Sequence, residues 1–143
     1  MPTTPLPPEA QDMLRHANPA VMATLRPDGT PVSTATGYMW EGGRILISLD
    51  ESRVRIKHLR RDPRVTLTVF DGDDWYTHLT LIGRVTEMYE DDGLRDIDRM
   101  ALHITGSPYP DRVRLRISAW IEVERWHSWK VANDGPAFTE APS

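Results

Sequence analysis

Apolar and polar residues alternate along this chain in short blocks punctuated by Gly, Pro and Asp. "AVMATL" (20–25) reads as a strand, "RPDGTP" carries Pro-Asp-Gly turn chemistry, and "VSTATGYMW" (32–40) returns as its hairpin partner. After a second turn at "EGG", "RILISL" (44–49) places Ile45, Ile47 and Leu49 on one face. These three strands, joined by tight turns, predict a meander. "RVTLTVF" (64–70) alternates cleanly, "DGDD" turns, and "WYTHLTLIGRVTEM" (75–88) predicts a long strand with a bend or bulge at Gly83. The closing strand is "RVRLRISAWIEVERWHSW" (112–129), with Val113, Leu115, Ile117 and Ala119 opposing Arg112, Arg114, Arg116 and Ser118.

Helical spacing recurs in three places. "EAQDMLRHA" predicts a helix over 9–17, with Met13 and Leu14 inward and Asn18-Pro19 as its stop. Residues 52–61 predict a second of roughly ten residues, capped by Ser52 and packed through Val54, Ile56 and Leu59. Pro63 blocks its continuation and biases Asp62 out of the helical region. "EDDGLRDIDRMALHITG" sets Leu94, Ile97, Met100, Ala101 and Ile104 at helical spacing. Six strands with only short helices between them predict a mainly β fold, a six-stranded antiparallel barrel rather than a βαβ sheet. Side chains fill a barrel of that size, so a ligand belongs on its outside or in a groove between subunits. The four prolines of residues 1–8 predict a loose arm, 9–129 the folded domain, and 130–143 a flexible tail.

Composition narrows the function. The 143 residues carry a net charge of -4, which opposes a nucleic-acid binder with its broad basic footprint. No apolar run approaches the roughly 20 residues of a membrane span. "MPTTPLPPEA" lacks the basic-then-apolar order of a signal peptide, so a cytoplasmic location is expected. Cysteine is absent, which removes disulfides and thiolate chemistry. The five histidines, at 16, 58, 78, 103 and 127, show no metal-ligand spacing, and no G-x-S-x-G elbow supports a serine nucleophile. Turn chemistry accounts for the paired carboxylates Asp73 and Asp74 of "GDDW" without a catalytic role.

The positive charge is concentrated in "ESRVRIKHLRRDPR" (51–64), which holds six of the seventeen Lys and Arg residues. Arg53, Arg55 and Lys57 at a helix start suit a phosphate, which Arg grips with a planar fork and Lys as a point charge. A solvated helix face paired with Glu51 and Asp62 explains the same charges, and Asp50 and Glu51 would compete with a bound anion. Residue pattern leaves both readings open.

The order of these parts resembles the pyridoxamine-phosphate-oxidase-like flavin split barrels, and within them the small actinobacterial deazaflavin-dependent reductases that use coenzyme F420. The resemblance covers about residues 9–129. It rests on "ATLRPDGTPVSTATGYMW", "ILISLDESRVRIKHLRRDPRVTLTV", "LTLIGRVTEM" and "HITGSPYP". It implies a homodimer of split barrels with a cofactor site in each groove between subunits. Arg53 and Arg55 would then bind the cofactor phosphate, with Lys57 and His58 beside them. Thr34, Ala35, Thr36, Gly37 and Tyr38, with Ile47, Ser48, Leu49 and Asp50, would line the ring. Trp75, Tyr76 and Thr77 would come from the partner subunit. Tyr38, His78 and His103 are the candidate proton donors. Many relatives carry Lys where this chain has Arg55, and the C-terminal Arg-x-His signature of vitamin B6 oxidation is missing.

The resemblance therefore implies hydride transfer between F420 and a small conjugated or electrophilic substrate, with the cofactor carrying the hard step. FMN in place of F420, a haem-binding barrel, and a non-catalytic flavin or deazaflavin carrier are the alternatives.

Overall fold

The computed structural model describes residues 5–131, so the first four residues of the expected arm and the tail from 132 onward lie outside the described residues. The elements run α1 (Pro8–Arg15), β1 (Ala20–Leu25), β2 (Pro31–Thr36), β3 (Met39–Glu41), β4 (Arg44–Asp50), α2 (Val54–Arg61), β5 (Arg64–Phe70), β6 (His78–Glu90), α3 (Arg95–Thr105) and β7 (Arg116–Trp129). A 3-10 turn at Asp92–Leu94 leads into α3. All strands share one antiparallel sheet in the order β2-β1-β5-β6-β7-β4-β3.

The two edge strands, β2 and β3, are joined by Gly37 and Tyr38 alone. Three Cα–Cα steps of about 3.8 Å cannot bridge a flat seven-stranded sheet, so the sheet must roll until its edges meet. The fold is thus the mainly β split barrel that the sequence predicts, with seven strands rather than six. The extra strand arises because the run over 32–40 breaks at Gly37. No meander forms either: β1–β2 and β3–β4 are separate hairpins at opposite edges, because β5, β6 and β7 insert between them. Each hairpin closes as its turn residues dictate. Gly29 adopts φ 86°, a conformation a side chain resists, while Arg26 N–H bonds Thr30 O at 2.9 Å.

Long strands β6 and β7 tie the halves together. Residues 78–84 of β6 pair with β5, whereas residues 116–122 of β7 pair with β4. The register between β6 and β7 shifts at Ile82/Gly83 and again at Val85/Glu87, where the two pairings change over. A bulge bends a strand and raises its twist. Here it turns one half of the barrel against the other.

The interior is packed by alternating residues of every long strand, among them Met22, Ile45, Ile47, Leu49, Leu67, Val69, Leu79, Leu81 and Ile121. Leu14 of α1 and Ile56 and Leu59 of α2 cap it. A second, smaller cluster lies on the outer face, where Ile97 and Met100 of α3 cover Leu46 and Trp120. Strand β4 is consequently buried on both faces. Burying each such side chain contributes about 1.5–3 kcal/mol.

Several boundaries differ from expectation. Leu6 is buried and its carbonyl accepts from Gln11 Nε2 at 2.9 Å, so the arm is already docked there. Val54 is 57% exposed and does not pack α2 down; His58 does, buried with its Nδ1 3.0 Å from Thr24 Oγ1. Ile104 is exposed on α3. Trp75–Thr77 form a turn before β6, and Val113 (88% exposed) and Leu115 precede β7. Alternation over 112–115 predicts a strand, but Asp111 accepts the Val113 and Arg114 N–H groups and folds that segment as a turn.

Gly83 makes a direct prediction. A Cβ there would sit 2.0 Å from the carbonyl oxygen of Glu122. Gly83→Ala should destabilise the fold by about 3 kcal/mol, the upper range of overpacking, read from the urea midpoint. Gly43→Ala, with open space around it but a φ of 79°, is the control and should cost less.

Candidate functional site

The end of β4 sets the geometry of the basic segment. Asp50 Oδ1 accepts the Ser52 N–H and the Ser52 hydroxyl, both at 2.9 Å, and Asp50 O accepts the Arg53 N–H at 2.9 Å. Arg114 Nη1 donates to Asp50 Oδ2 at 2.9 Å. Ser52 is therefore bound back to Asp50 and does not cap α2. Arg53 occupies the N-cap position in an extended conformation, with no side-chain cap. The competition expected from Asp50 is removed by the same contacts, since Ser52 and Arg114 occupy both carboxylate oxygens. They hold its pKa down, to about 2 from 3.8.

One turn into the segment, Arg55 points under α3. Its Nη1 is buried and has no hydrogen-bond partner. Burial, then the charges of Arg53 and Arg116, lower its pKa. Arg116, at the start of β7, donates from Nε to Ser48 Oγ and from Nη2 to Ser48 O, both at 3.2 Å. Its Nη1 donates to the Tyr109 hydroxyl at 3.3 Å, and its guanidinium lies 5.0 Å from the Tyr109 ring centroid.

These residues line a cleft of about 270 Å³. Thr36, Gly37, Ser48, Arg55 and Arg116 form its polar wall, and Met100, Ala101 and Ile104 of α3 its apolar wall. The walls are close: a Cβ on Gly37 would lie 2.8 Å from Ile104 Cδ1. A larger hollow of about 390 Å³ crosses β1, β5 and β6, but its Arg64 and Arg84 already pair with Asp62 and Glu124. Only the α3 cleft contains a buried side-chain donor that lacks a partner among the described residues.

The structure brings Thr36, Gly37, Ser48 and Arg55 of the expected set together, with Arg53 near Arg55. It separates the others. Thr34 and Ala35 are exposed on the edge strand β2. Ile47 and Leu49 are fully buried in the barrel interior and cannot touch an outside ligand with their side chains. Asp50 is committed to Ser52 and Arg114. Lys57 and His58 face a different hollow beside Arg26 and Val32. Trp75, 65% exposed, stacks on Tyr76 at 4.1 Å at the far tip of β5–β6, with Thr77 beside them.

None of the three expected proton donors lines the cleft. Tyr38 is a core residue: its hydroxyl donates to His16 O at 2.9 Å, and burial pushes its pKa up to about 12. His78 binds Tyr76 O through Nδ1 at 2.8 Å and sits against Phe70. His103 is exposed on α3, and the helix turns Met100, Ala101 and Ile104 to the cleft instead. Sequence reasoning missed Arg116 and Tyr109. A four-residue alternation of Arg and apolar residues before β7 hid one, and a loop position hid the other.

With the geometry in place, comparison with known proteins decides the family. The profile described as pyridoxamine 5′-phosphate oxidase matches residues 6–130. The chain belongs to the pyridoxamine 5′-phosphate oxidase family. Among solved structures, an F420 reductase superposes with a TM-score of 0.76 at 22% identity, over 85% of this chain and 98% of that one. A conserved hypothetical protein from Mycobacterium tuberculosis gives 0.65 at 24% identity, over 89% and 86%. A heme binding protein from Mycobacterium smegmatis gives 0.57 at 18%, over 88% and 55%. At these identities the likenesses establish the split-barrel fold shared by this flavin-type oxidoreductase family. No helix among the described residues is long and apolar enough to cross a membrane, and no group of His, Asp or Glu among them could hold a metal ion.

The Asp50 contacts predict an acid dependence. A folded-state pKa of about 2, below 3.8, gives stability that is complete above about pH 4 and is lost as pH falls toward 2. Between pH 5 and pH 2.5 the urea midpoint of the wild type should fall further than that of Asp50→Asn. Equal falls would show that the Asp50 contacts do not couple to folding.

Proposed function

We propose that this protein is an F420-dependent reductase that transfers a hydride between the deazaflavin and a small conjugated or electrophilic substrate. The observation that carries the proposal is the buried, unpartnered Nη1 of Arg55 in a cleft that contains no carboxylate. A buried guanidinium donor left unsatisfied is costly, and a phosphate oxygen would satisfy it. The donor set therefore fits the phosphate of a flavin-type cofactor.

Arg53 and Arg55 would hold that phosphate. Gly37 and Thr36 bring backbone and a small side chain to the cleft wall, where a flat ring can approach closely. When bound, the deazaflavin supplies the hydride from C5 of its ring. The chain's own residues supply binding, orientation and exclusion of water. Met100, Ala101 and Ile104 make the apolar wall that excludes water, and Tyr38, His78 and His103 all lie outside the cleft. The F420 reductase among the structural likenesses supports this choice over FMN.

We infer further a cytoplasmic homodimer in which the partner subunit completes each site. The exposed Trp75–Tyr76 stack, Val113 and Leu115 are apolar surface suited to such an interface. Sedimentation at micromolar concentration should give a dimer.

Titration of the purified protein with F420 and FMN side by side should show tighter binding of F420. Arg53→Ala and Arg55→Ala should each raise its dissociation constant at least about tenfold, since a charge-assisted hydrogen bond contributes about 1.5–3 kcal/mol. Arg60→Ala and Arg61→Ala, exposed farther along α2, should change it little. Tighter FMN binding would move the protein to the flavin oxidoreductases of the same fold, and turnover with NADPH alone would contradict both.

A further inference from the structure

Among the described residues Arg116 has only neutral hydrogen-bond partners, the hydroxyl and carbonyl of Ser48 and the hydroxyl of Tyr109. Other arginines on this sheet and its flanks meet carboxylates: Arg44 with Glu87, Arg84 with Glu124, Arg99 with Glu41 and Asp96, and Arg114 with Asp50. Arg116 instead shares a cleft with Arg55, and no acidic residue lines that cleft. Two cations held together in a half-buried place repel, and their repulsion is weakly screened there. Something must hold Arg116 against that repulsion. Tyr109 does so from its ring face and its hydroxyl, and Asp98 holds Tyr109. Asp98 Oδ1 accepts the Tyr109 N–H at 3.1 Å, and the carboxylate binds both terminal nitrogens of Arg112 at 2.6 and 3.0 Å. The loop after α3 is thereby pinned with Tyr109 on the guanidinium.

We propose that Arg116 is a second anion-binding residue of the cleft, gripping a phosphoryl group from β7 while Arg55 grips it from α2. Tyr109 is its positioning residue. The inference rests on the reading of Arg55 as an anion-binding group and extends it to a residue on a different element. It explains why an acidic protein keeps these two guanidiniums free of carboxylates: a phosphoryl group presents several acceptor oxygens, enough for two forks. It also explains the neutral partners. They orient Arg116 without cancelling its charge.

The test uses the full chain and inorganic phosphate, titrated against chloride at constant ionic strength and followed by thermal unfolding, with acetate as a parallel arm. Phosphate should raise the wild-type Tm and acetate should not. Arg116→Met and Arg55→Met should each raise the phosphate dissociation constant at least about tenfold. Arg116→Met should unfold, without phosphate, no lower than wild type, because a repulsion has been removed. Tyr109→Phe keeps the ring and loses the hydroxyl, and should weaken phosphate binding several-fold. Arg125→Met, elsewhere on β7, should respond as wild type. If Arg116→Met does not fold, Arg116→Lys replaces it: charge without the fork should still weaken phosphate binding. A wild-type response in the Arg116 variants with loss in Arg55→Met would overturn this inference and leave the Arg55 reading standing. No phosphate response in the wild type would overturn both, and an equal response to acetate would overturn the phosphoryl assignment.

Discussion

The approach of the Glu122 carbonyl to Gly83 is the contact on which the architecture turns. The oxygen occupies the space a Cβ would need, so only glycine lets β6 and β7 stay paired through the bulge. On one side of that point β6 carries β5, β1 and β2; on the other β7 carries β4 and β3. Arg84 and Glu122, paired in register, belong to both halves. A straight pair of strands would extend a flat sheet. The bend rolls it until Thr36 and Met39 come within reach of a two-residue link. Because that link contains Gly37, the closure of the barrel also creates the narrow floor of the cleft.

Charge is distributed with the same economy. Among the described residues Arg44, Arg84, Arg99, Arg112 and Arg114 each neutralise a carboxylate at their own location, whereas Arg55 and Arg116 do not, so the net charge of -4 hides a local exception. Asp50 shows how the exception is maintained. It lies next to the basic segment and would quench it, but Ser52 and Arg114 take up its oxygens. The same turn aims the start of α2. One carboxylate therefore shapes the segment and leaves Arg53 and Arg55 uncompensated.

Strand positions, the bulge at Gly83 and the stop before Pro63 were legible because each rests on local chemistry: alternation, a missing Cβ, a proline restriction. Arg55 was legible for the same reason, as a cation at a helix start. The errors have a common physical origin in tertiary choice. Alternation at Val113 and Leu115 is real, yet Asp111 draws the N–H groups there into a turn. Ser52 has the chemistry of a cap, but Asp50 competes successfully for its hydroxyl. Lys57 shares the basic segment with Arg55, and helical geometry, about 100° per residue, carries it to another face. Tyr38 looks like a site hydroxyl by proximity to Gly37, but the link between β2 and β3 turns it into the core. Arg116 and Tyr109 could not be found by spacing, since they meet only through the loop that Asp98 pins.

The outward residues of β4 join fold to site. After Arg44, which lies over Trp120, they are Leu46, Ser48 and Asp50, successively apolar, hydroxylic and charged. Leu46 lies under Ile97 and Met100, which fixes α3 on the sheet. Asp50 fixes the turn into α2. Ser48, between them, is where neither helix covers the strand, and there its hydroxyl and carbonyl receive Arg116. A ligand on this outer face has nowhere else along β4 to go: the positions before are sealed by packing and the position after by an ion pair. The location of the cleft is thus set by which outward side chain of one short strand is covered by neither a helix nor an ion pair and is left to hold Arg116.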